Sequence, residues 1–132
     1  MIVIDASAAL DLLLRTDRAA SLERFWIQSD QDLHAPELID LEVLQVLRRY
    51  ARFNGWTASE AASRFASLAE FPIARHGHED LLARVWDLRD TLSAYDAAYV
   101  ALAELLGATL ITSDERLSRA AAGIVTIETF TT

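Results

Sequence analysis

Short apolar runs rich in β-branched residues alternate along the chain with longer segments of helical periodicity. The first run, Ile2–Ile4, is continuously apolar, which is typical of a strand buried on both faces. Further strands are predicted at 33–35, 72–75, 108–112 and 124–127. Helices are predicted at 6–14, 17–28, 36–53, 57–71, 79–90, 93–107 and 114–121. This alternation predicts an α/β three-layer sandwich, in which helices flank a mainly parallel sheet of four to five strands.

Turn and cap residues mark the ends of several predicted helices. Pro36 suits the first turn of the third helix, and Asn54-Gly55 is a signal for its C-terminal end. The segments 57–60 and 93–96 have the pattern of a capping box, with Thr or Ser followed three residues later by an acid. These signals define where the fourth and sixth helices begin.

Length and composition favour one compact domain. The chain has 132 residues, of which 52% are apolar, so residues 1–132 are expected to form a single domain with a substantial core. The absence of cysteine excludes disulfides and thiolate metal sites. The N-terminal run lacks the basic residues of a secretory signal, and no apolar stretch reaches the roughly 20 residues of a membrane helix. We therefore expect a cytoplasmic protein without membrane contact.

The charge distribution restricts the chemistry further. Twenty acidic residues against 12 basic ones give a net charge of −8. All 12 basic residues are arginines, which excludes a lysine Schiff base and a Walker-type phosphate loop. An acidic chain is unsuited to nonspecific binding of nucleic acid, because that binding depends on phosphate neutralisation. Contact with nucleic acid would have to be local, through a bound cation or clustered arginines.

Three aspartates occupy positions where a functional site is expected. Asp5 directly follows the first predicted strand, and Asp114 lies two residues after the apolar run that ends at Thr112. In open parallel sheets, ligands bind beyond the carboxyl ends of the strands. Asp96 falls in the first turn of the helix that leads into the second of these strands.

Glu42 is the fourth candidate, because its helical neighbours are apolar. Leu38, Ile39 and Val46 lie three or four residues away, on the same face of the predicted helix. The carboxylate is therefore expected to point inward, where a lone charge is costly. The structural alternative is an ion pair between Glu42 and an arginine from elsewhere in the chain.

The three aspartates also have purely structural alternatives. Asp5 and Asp114 suit helix N-caps, and Asp96 suits the third position of a capping box. If the four acids converge instead, each pair at about 5 Å repels by roughly 3 kcal/mol. Several such pairs rival the ~5–15 kcal/mol stability of a domain, so a real cluster must take up protons or bind a cation. With oxygen ligands alone, Mg²⁺ or Mn²⁺ is the natural choice.

Four segments, in the same order and spacing, resemble the motifs of the PIN-domain superfamily. They are DAS at 5–7, the segment 35–49 around Glu42, SAYDAAYVALA at 93–103, and LITSD at 110–114 with Leu117 behind it. Order, spacing and length are most similar to the VapC-type toxins of bacterial toxin–antitoxin pairs. The resemblance extends from residue 1 almost to the C-terminus.

The resemblance implies a metal-dependent endoribonuclease that uses Mg²⁺ or Mn²⁺ to activate water and leaves 5′-phosphate and 3′-hydroxyl ends. The catalytic and metal-binding residues that it implies are Asp5, Glu42, Asp96 and Asp114. Ser7 and Thr112 match hydroxyl positions that support the acidic cluster or the phosphate. The resemblance also implies a homodimer and a small VapB-type antitoxin as partner, with RNA as the substrate.

Two positions depart from the family pattern. Gln45 stands where many relatives have an asparagine, which leaves a supporting contact to the site undefined. Arg116 stands where some relatives carry another acid, so at most four acidic ligands are expected.

Three arginines follow Glu42 on its predicted helix: Arg48, Arg49 and Arg52. They are candidate contacts for RNA phosphates. A solvated helix end that complements the helix dipole explains them equally well.

Other functions are compatible with the same acids. A housekeeping PIN-domain nuclease that processes RNA would share every catalytic residue. A phosphoacceptor signalling domain also places aspartates beyond parallel strands, but such domains generally use a lysine, which this chain lacks. A non-catalytic acidic binding module would use the acids only as caps.

Overall fold

The computed structural model describes residues 1–131. The strands in this range are β1 (Ile2–Ile4), β2 (Leu33–Pro36), β3 (Ile73–His76), β4 (Thr109–Thr112) and β5 (Ile127–Thr129). The helices are α1 (Ala6–Leu14), α2 (Ala19–Ser29), α3 (Leu38–Phe53), α4 (Ala58–Glu70), α5 (Leu82–Asp87), α6 (Ala94–Leu106) and α7 (Glu115–Ala121). A 3₁₀ turn at Glu79–Leu81 directly precedes α5.

The five strands form one parallel sheet in the order β3-β2-β1-β4-β5. This confirms the predicted α/β architecture. The chain first builds the sheet outward from β1 to β2 and β3, and then returns to add β4 and β5 on the other side of β1. The strand order therefore reverses between β1 and β4, and the carboxyl edge at such a switch point is where ligands bind.

Helices cover both faces of the sheet. Helices α1, α2, α3 and α4 pack against one another, with α1 on β4 and α3 on β2. Helix α6 lies across β1, β2 and β4, and α5 packs on it. Because parallel crossovers are right-handed, the reversal of strand order places these two groups of helices on opposite faces.

Helix α6 is the most deeply buried helix. Seven consecutive residues, from Ala97 to Ala103, are buried, so the helix is covered on nearly every side. Its sequence is apolar except for Asp96 and Glu104 near its two ends, which is the pattern of a core helix. Gly107 ends it in the left-handed conformation, at φ 62°. No helix within residues 1–131 combines the length and hydropathy needed to cross a membrane.

Several predicted elements differ in their bounds from the observed ones. Pro36 ends β2 and pairs with His76 of β3, so the third helix begins two residues later than predicted. The predicted helix 79–90 is divided into the 3₁₀ turn and the short α5. The last strand begins at Ile127, because Gly123 at φ 85° and the bridge between Ala122 and Val125 turn the chain first.

Candidate active site

The register of β1 against β4 sets the position of two of the four predicted acids. Ile4 pairs with Ile111, and the Asp5 backbone N–H donates to the Ile111 carbonyl at 3.2 Å. Asp5 is therefore the residue directly after β1, and Asp114 lies two residues after the end of β4. Both acids lie at the carboxyl edge of the sheet, beside the switch point, as expected from their positions after strands.

Asp5 is a buried carboxylate, with 4% of its surface exposed. One oxygen accepts hydrogen bonds from the Ser7 hydroxyl at 2.7 Å and from the Ala8 backbone N–H at 2.9 Å, which caps α1. The other accepts from the Thr112 hydroxyl. Burial raises the pKa of Asp5 to about 6, although these hydrogen bonds lower it, and Asp114 adds a smaller increase.

Ser7 and Thr112 connect the loops that follow β1 and β4. Besides contacting Asp5, the Thr112 hydroxyl accepts from the Asp114 backbone N–H at 2.9 Å. The Ser7 hydroxyl accepts from the Ser113 backbone N–H at 3.0 Å. The two hydroxyl oxygens are 3.3 Å apart. These contacts fix the Asp5 side chain and the start of the Asp114 loop in one rigid unit.

Glu42 reaches the site from α3 and is held by a tyrosine of α6. The Tyr99 hydroxyl donates to Glu42 Oε1 at 2.5 Å, and Tyr99 is 2% exposed. Burial raises the pKa of Glu42, the Tyr99 hydrogen bond opposes this, and Asp96 raises the pKa further. The inward orientation predicted from its apolar neighbours is confirmed, but its partner is a tyrosine and not an arginine.

Asp96 and Asp114 share one cation, the Arg116 guanidinium. Arg116 Nη2 donates to Asp96 Oδ2 at 2.9 Å and to Asp114 Oδ2 at 3.2 Å. Asp114 also caps α7, accepting from the backbone N–H groups of Arg116 and Leu117. The two acids are therefore neighbours, and Arg116 supplies the positive charge between them.

The Tyr99 hydroxyl lies within the electrostatic influence of three acids. Burial is the largest cause of its raised pKa, followed by the bonded Glu42 and then by Asp5 and Asp96. Because Asp96 and Asp114 also share Arg116, all four acids border one region at the carboxyl edge of the sheet. The fold thus brings together two acids that follow strands β1 and β4 and two acids from helices α3 and α6.

The donor set fits a hard divalent cation in its chemistry. All four candidates are carboxylates, and oxygen is the ligand that Mg²⁺ and Mn²⁺ prefer. Arg116 already places one positive charge between Asp96 and Asp114. Within residues 1–131, however, no three His, Cys, Asp or Glu side chains already form a group that could hold a metal ion.

The predicted arginine group lies apart from the acids. Arg48, Arg49 and Arg52 are exposed on the C-terminal half of α3, beyond Glu42. Gln45 is exposed one turn from Glu42 and lines a groove beside it. The structure therefore gives the three arginines no contact with the acidic region, and their role in RNA binding stays a prediction.

Comparisons with known proteins agree with this geometry. Residues 2–123 match the PIN-domain family. The chain is 44% identical over 119 residues to Ribonuclease VapC3 of Mycobacterium tuberculosis, which covers 90% of this chain and 86% of that protein. The chain belongs to the PIN-domain family, in its VapC group. Ribonuclease VapC9 of the same organism is 42% identical over 118 residues, or 89% of each chain.

A solved structure shows the same fold for this PIN domain. The structure is that of VapBC2 from Rickettsia felis bound to a DNA fragment from their promoter. It superposes with a TM-score of 0.72, covering 99% of this chain and 100% of the other at 11% identity.

Two residues that form hydrogen bonds with the acids of the site, Tyr99 and Arg116, were not predicted as site residues from the sequence. Tyr99 stands three residues after Asp96, on the same face of α6, and this spacing is a signal that could have identified it. Arg116 was noted only as a departure from the family pattern. Its bonds span 20 residues of chain to Asp96, which no local pattern predicts.

We predict that Asp5→Asn stabilises the metal-free PIN domain at neutral pH. The raised pKa of Asp5, about 6 against 3.8, means that the folded protein holds this proton more tightly than the unfolded chain. The associated stability is present below about pH 4 and is lost as pH rises through about 6. Asparagine does not titrate, so the variant does not lose this stability as the pH rises. Its unfolding free energy should exceed the wild-type value by up to about 3 kcal/mol above pH 6.

Urea unfolding in EDTA at several pH values measures this difference. The exposed Asp87 provides the control variant, Asp87→Asn, which should follow the wild-type curve. Parallel curves for wild type and Asp5→Asn across pH 4–7 would contradict a buried, proton-binding Asp5.

We also predict that Tyr99→Phe raises the pKa of Glu42. The variant keeps the buried ring but removes the hydroxyl that favours the ionised carboxylate. Loss of this hydrogen bond should cost about 1–2 kcal/mol of stability at neutral pH. Carboxyl-carbon NMR titration reports the pKa, with Tyr95→Phe as control because Tyr95 is 66% exposed. An unchanged Glu42 titration in Tyr99→Phe would refute the contact.

Proposed function

We propose that this PIN domain is an endoribonuclease and the toxin of a VapBC-type toxin–antitoxin pair. The observation that carries the proposal is the acidic region at the switch point of β1 and β4, built around the buried Asp5. The two mycobacterial relatives are named ribonucleases. RNA is a suitable substrate because phosphodiester cleavage needs charge stabilisation and an activated water at such a site.

We propose Mg²⁺ or Mn²⁺ as the cofactor, held by Asp5, Asp96 and Asp114 with Glu42 nearby. A carboxylate-bound divalent ion supplies an activated water and charge stabilisation during phosphodiester cleavage. Binding of a cation between Asp96 and Asp114 requires Arg116 to release both carboxylates. Arg116 is free to move, since 64% of its side chain is exposed.

The residues of the chain have separate tasks in this proposal. Ser7 and Thr112 hold the Asp5 carboxylate in one orientation, which keeps its ligand geometry fixed. Tyr99 occupies Glu42 Oε1 and leaves Oε2 to accept a proton from the attacking water. Burial raises the pKa of Glu42 above its ordinary value, which makes the carboxylate a stronger proton acceptor than an exposed glutamate. In-line attack would form a bond from the water oxygen to phosphorus and break the bond to the 3′-oxygen, which takes a proton from solvent, so the ends are a 5′-phosphate and a 3′-hydroxyl.

An antitoxin is proposed as the inhibitory partner. An apolar groove of about 590 Å³ lies between α1 and α3 and reaches Glu42; its lining includes Leu10, Leu38, Leu41 and Tyr95. An amphipathic helix fits such a groove, and an arginine following it would be attracted to the acids. The Rickettsia felis neighbour was solved as a VapBC complex. We propose in addition that the domain forms a homodimer.

Cleavage of total cellular RNA tests the enzymatic proposal. Wild type should degrade RNA with Mg²⁺ or Mn²⁺ and stop when EDTA is added, because carboxylates alone cannot stabilise the negative charge that develops during cleavage. Asp5→Asn and Asp96→Asn should each lower the rate by about 100-fold or more. Asp87→Asn, which changes an exposed acid on α5, should cleave at the wild-type rate.

Two outcomes would overturn the enzymatic proposal. Equal cleavage by the wild type and the two site variants would assign the activity to a contaminant. Calorimetric titration with Mn²⁺ that gives no saturable heat for the wild type would favour a non-catalytic binding module.

Affinity purification from cells that express the domain with its neighbouring genes tests the partner. A small basic-tailed protein should copurify, and light scattering should give a mass that includes two copies of the domain. The copurified complex should cleave RNA more slowly than the isolated domain. Recovery of the domain alone, with free nuclease activity in the cells, would contradict the antitoxin proposal.

A further inference from the structure

A polar cleft opens next to the acidic region, on the side of Asp114. Its volume is about 450 Å³, and it is lined by Arg18, Ser113, Asp114, Glu115, Arg116 and Thr131. Arg18 reaches this cleft from the start of α2, whereas the other lining residues belong to the segments around α7 and the C-terminus. Asp114 thus borders both the acidic region and this cleft.

Arg18 is held in the cleft by a buried acid. Arg18 Nε donates to Asp11 Oδ2 at 2.9 Å, and Nη2 donates to Oδ1 at 3.1 Å. Asp11 is only 4% exposed. Burial disfavours its charge, but the hydrogen bonds from Arg18 and Thr16 lower the pKa of Asp11 below its ordinary value. The pair is therefore ionised, with the guanidinium in a fixed orientation.

Stability alone does not explain this ion pair. Removing two charges from water costs as much as their attraction returns, so a buried pair is weak evidence for stabilisation. The loop before α2 is closed by other contacts as well: Thr16 donates to Asp11 through its hydroxyl at 2.7 Å and through its backbone N–H at 3.1 Å. The distinctive effect of Asp11 is to orient the Arg18 guanidinium.

The oriented Arg18 guanidinium still has N–H groups that can donate hydrogen bonds to a ligand. Its pairing with Asp11 uses Nε and Nη2, and within residues 1–131 the Nη1 group makes no hydrogen bond. The Arg18 side chain remains 32% exposed. A guanidinium edge with free N–H groups matches the oxygens of a phosphate. Because Asp11 already restricts its rotamers, Arg18 loses less conformational freedom on binding than an unheld surface arginine.

We propose that Arg18 binds a phosphate of the RNA backbone next to the phosphate that is cleaved. The inference rests on the proposed ribonuclease function, and it assigns a substrate contact to a residue outside the acidic region. Local donors of this kind are required, because a chain with net charge −8 repels RNA at long range. Arg18 is a better candidate than Arg48, Arg49 or Arg52, since it lines a cleft that includes Asp114.

Fluorescence anisotropy with a short labelled single-stranded RNA tests the contact. The background is Asp5→Asn in Mg²⁺, so that the RNA stays uncut. Adding Arg18→Gln should weaken binding roughly tenfold and reduce the slope of log affinity against log salt by about 0.7, the value for one contact to a single strand. Arg18→Lys should restore the slope but only part of the affinity, because lysine keeps the charge without the fork.

Two controls separate a binding role from a structural one. Arg24→Gln removes the same charge from an exposed site on the same helix, and it should leave affinity and slope unchanged. Arg18→Gln alone leaves Asp11 buried without its partner, which destabilises the fold. The double variant Asp11→Asn/Arg18→Gln removes both charges, and it should stay folded and still bind RNA about tenfold more weakly.

The outcomes distinguish this inference from the proposed function. A folded double variant that binds RNA with unchanged affinity and slope would show that Arg18 only closes the loop before α2. A uniform loss in all variants, Arg24→Gln included, would assign the effect to net charge and equally overturn the contact. If the Asp5→Asn background binds no RNA and the wild type cleaves none, the ribonuclease proposal fails and this inference fails with it.

Discussion

The hydrogen bond that the Thr112 hydroxyl donates to the Asp5 carboxylate, between the ends of two neighbouring strands, is the interaction on which the rest of the site depends. Asp5 directly follows β1 and Thr112 ends β4, and their side chains meet because the register aligns Ile4 with Ile111. Ser7 adds a second link between the same loops. The acidic region is therefore an extension of the sheet, and its geometry has the precision of strand pairing and not of a free loop.

Helix capping and the proposed chemistry use the same aspartates. Asp5 caps α1 and Asp114 caps α7, as the structural alternative for each acid required. The two interpretations do not exclude one another, since a cap at the carboxyl end of a parallel strand also borders the ligand edge. Both positions were predictable because strand ends and caps are local features of the sequence. The inward orientation of the Glu42 side chain was predictable from its apolar helical neighbours.

Contacts between distant side chains could not be predicted in the same way. Tyr99 meets Glu42 across 57 residues of chain, and Arg116 meets Asp96 across 20. Their geometry depends on how α6 crosses the sheet, which a hydrophobic period does not specify. The start of β5 was missed for a similar reason: the left-handed Gly123 delays the strand, although the apolar run begins at Ile124.

The buried position of Asp5 limits the ways in which this domain can be regulated. Its carboxylate is bonded to the first turn of α1 and to the end of β4, next to the central pair of strands, so loosening it disturbs a part of the fold that opens late. A regulator that acted by unfolding the contacts around Asp5 would therefore also have to unfold a large part of the domain. A partner that only covered the acidic region would leave these contacts in place, and its departure would expose a site that is already folded.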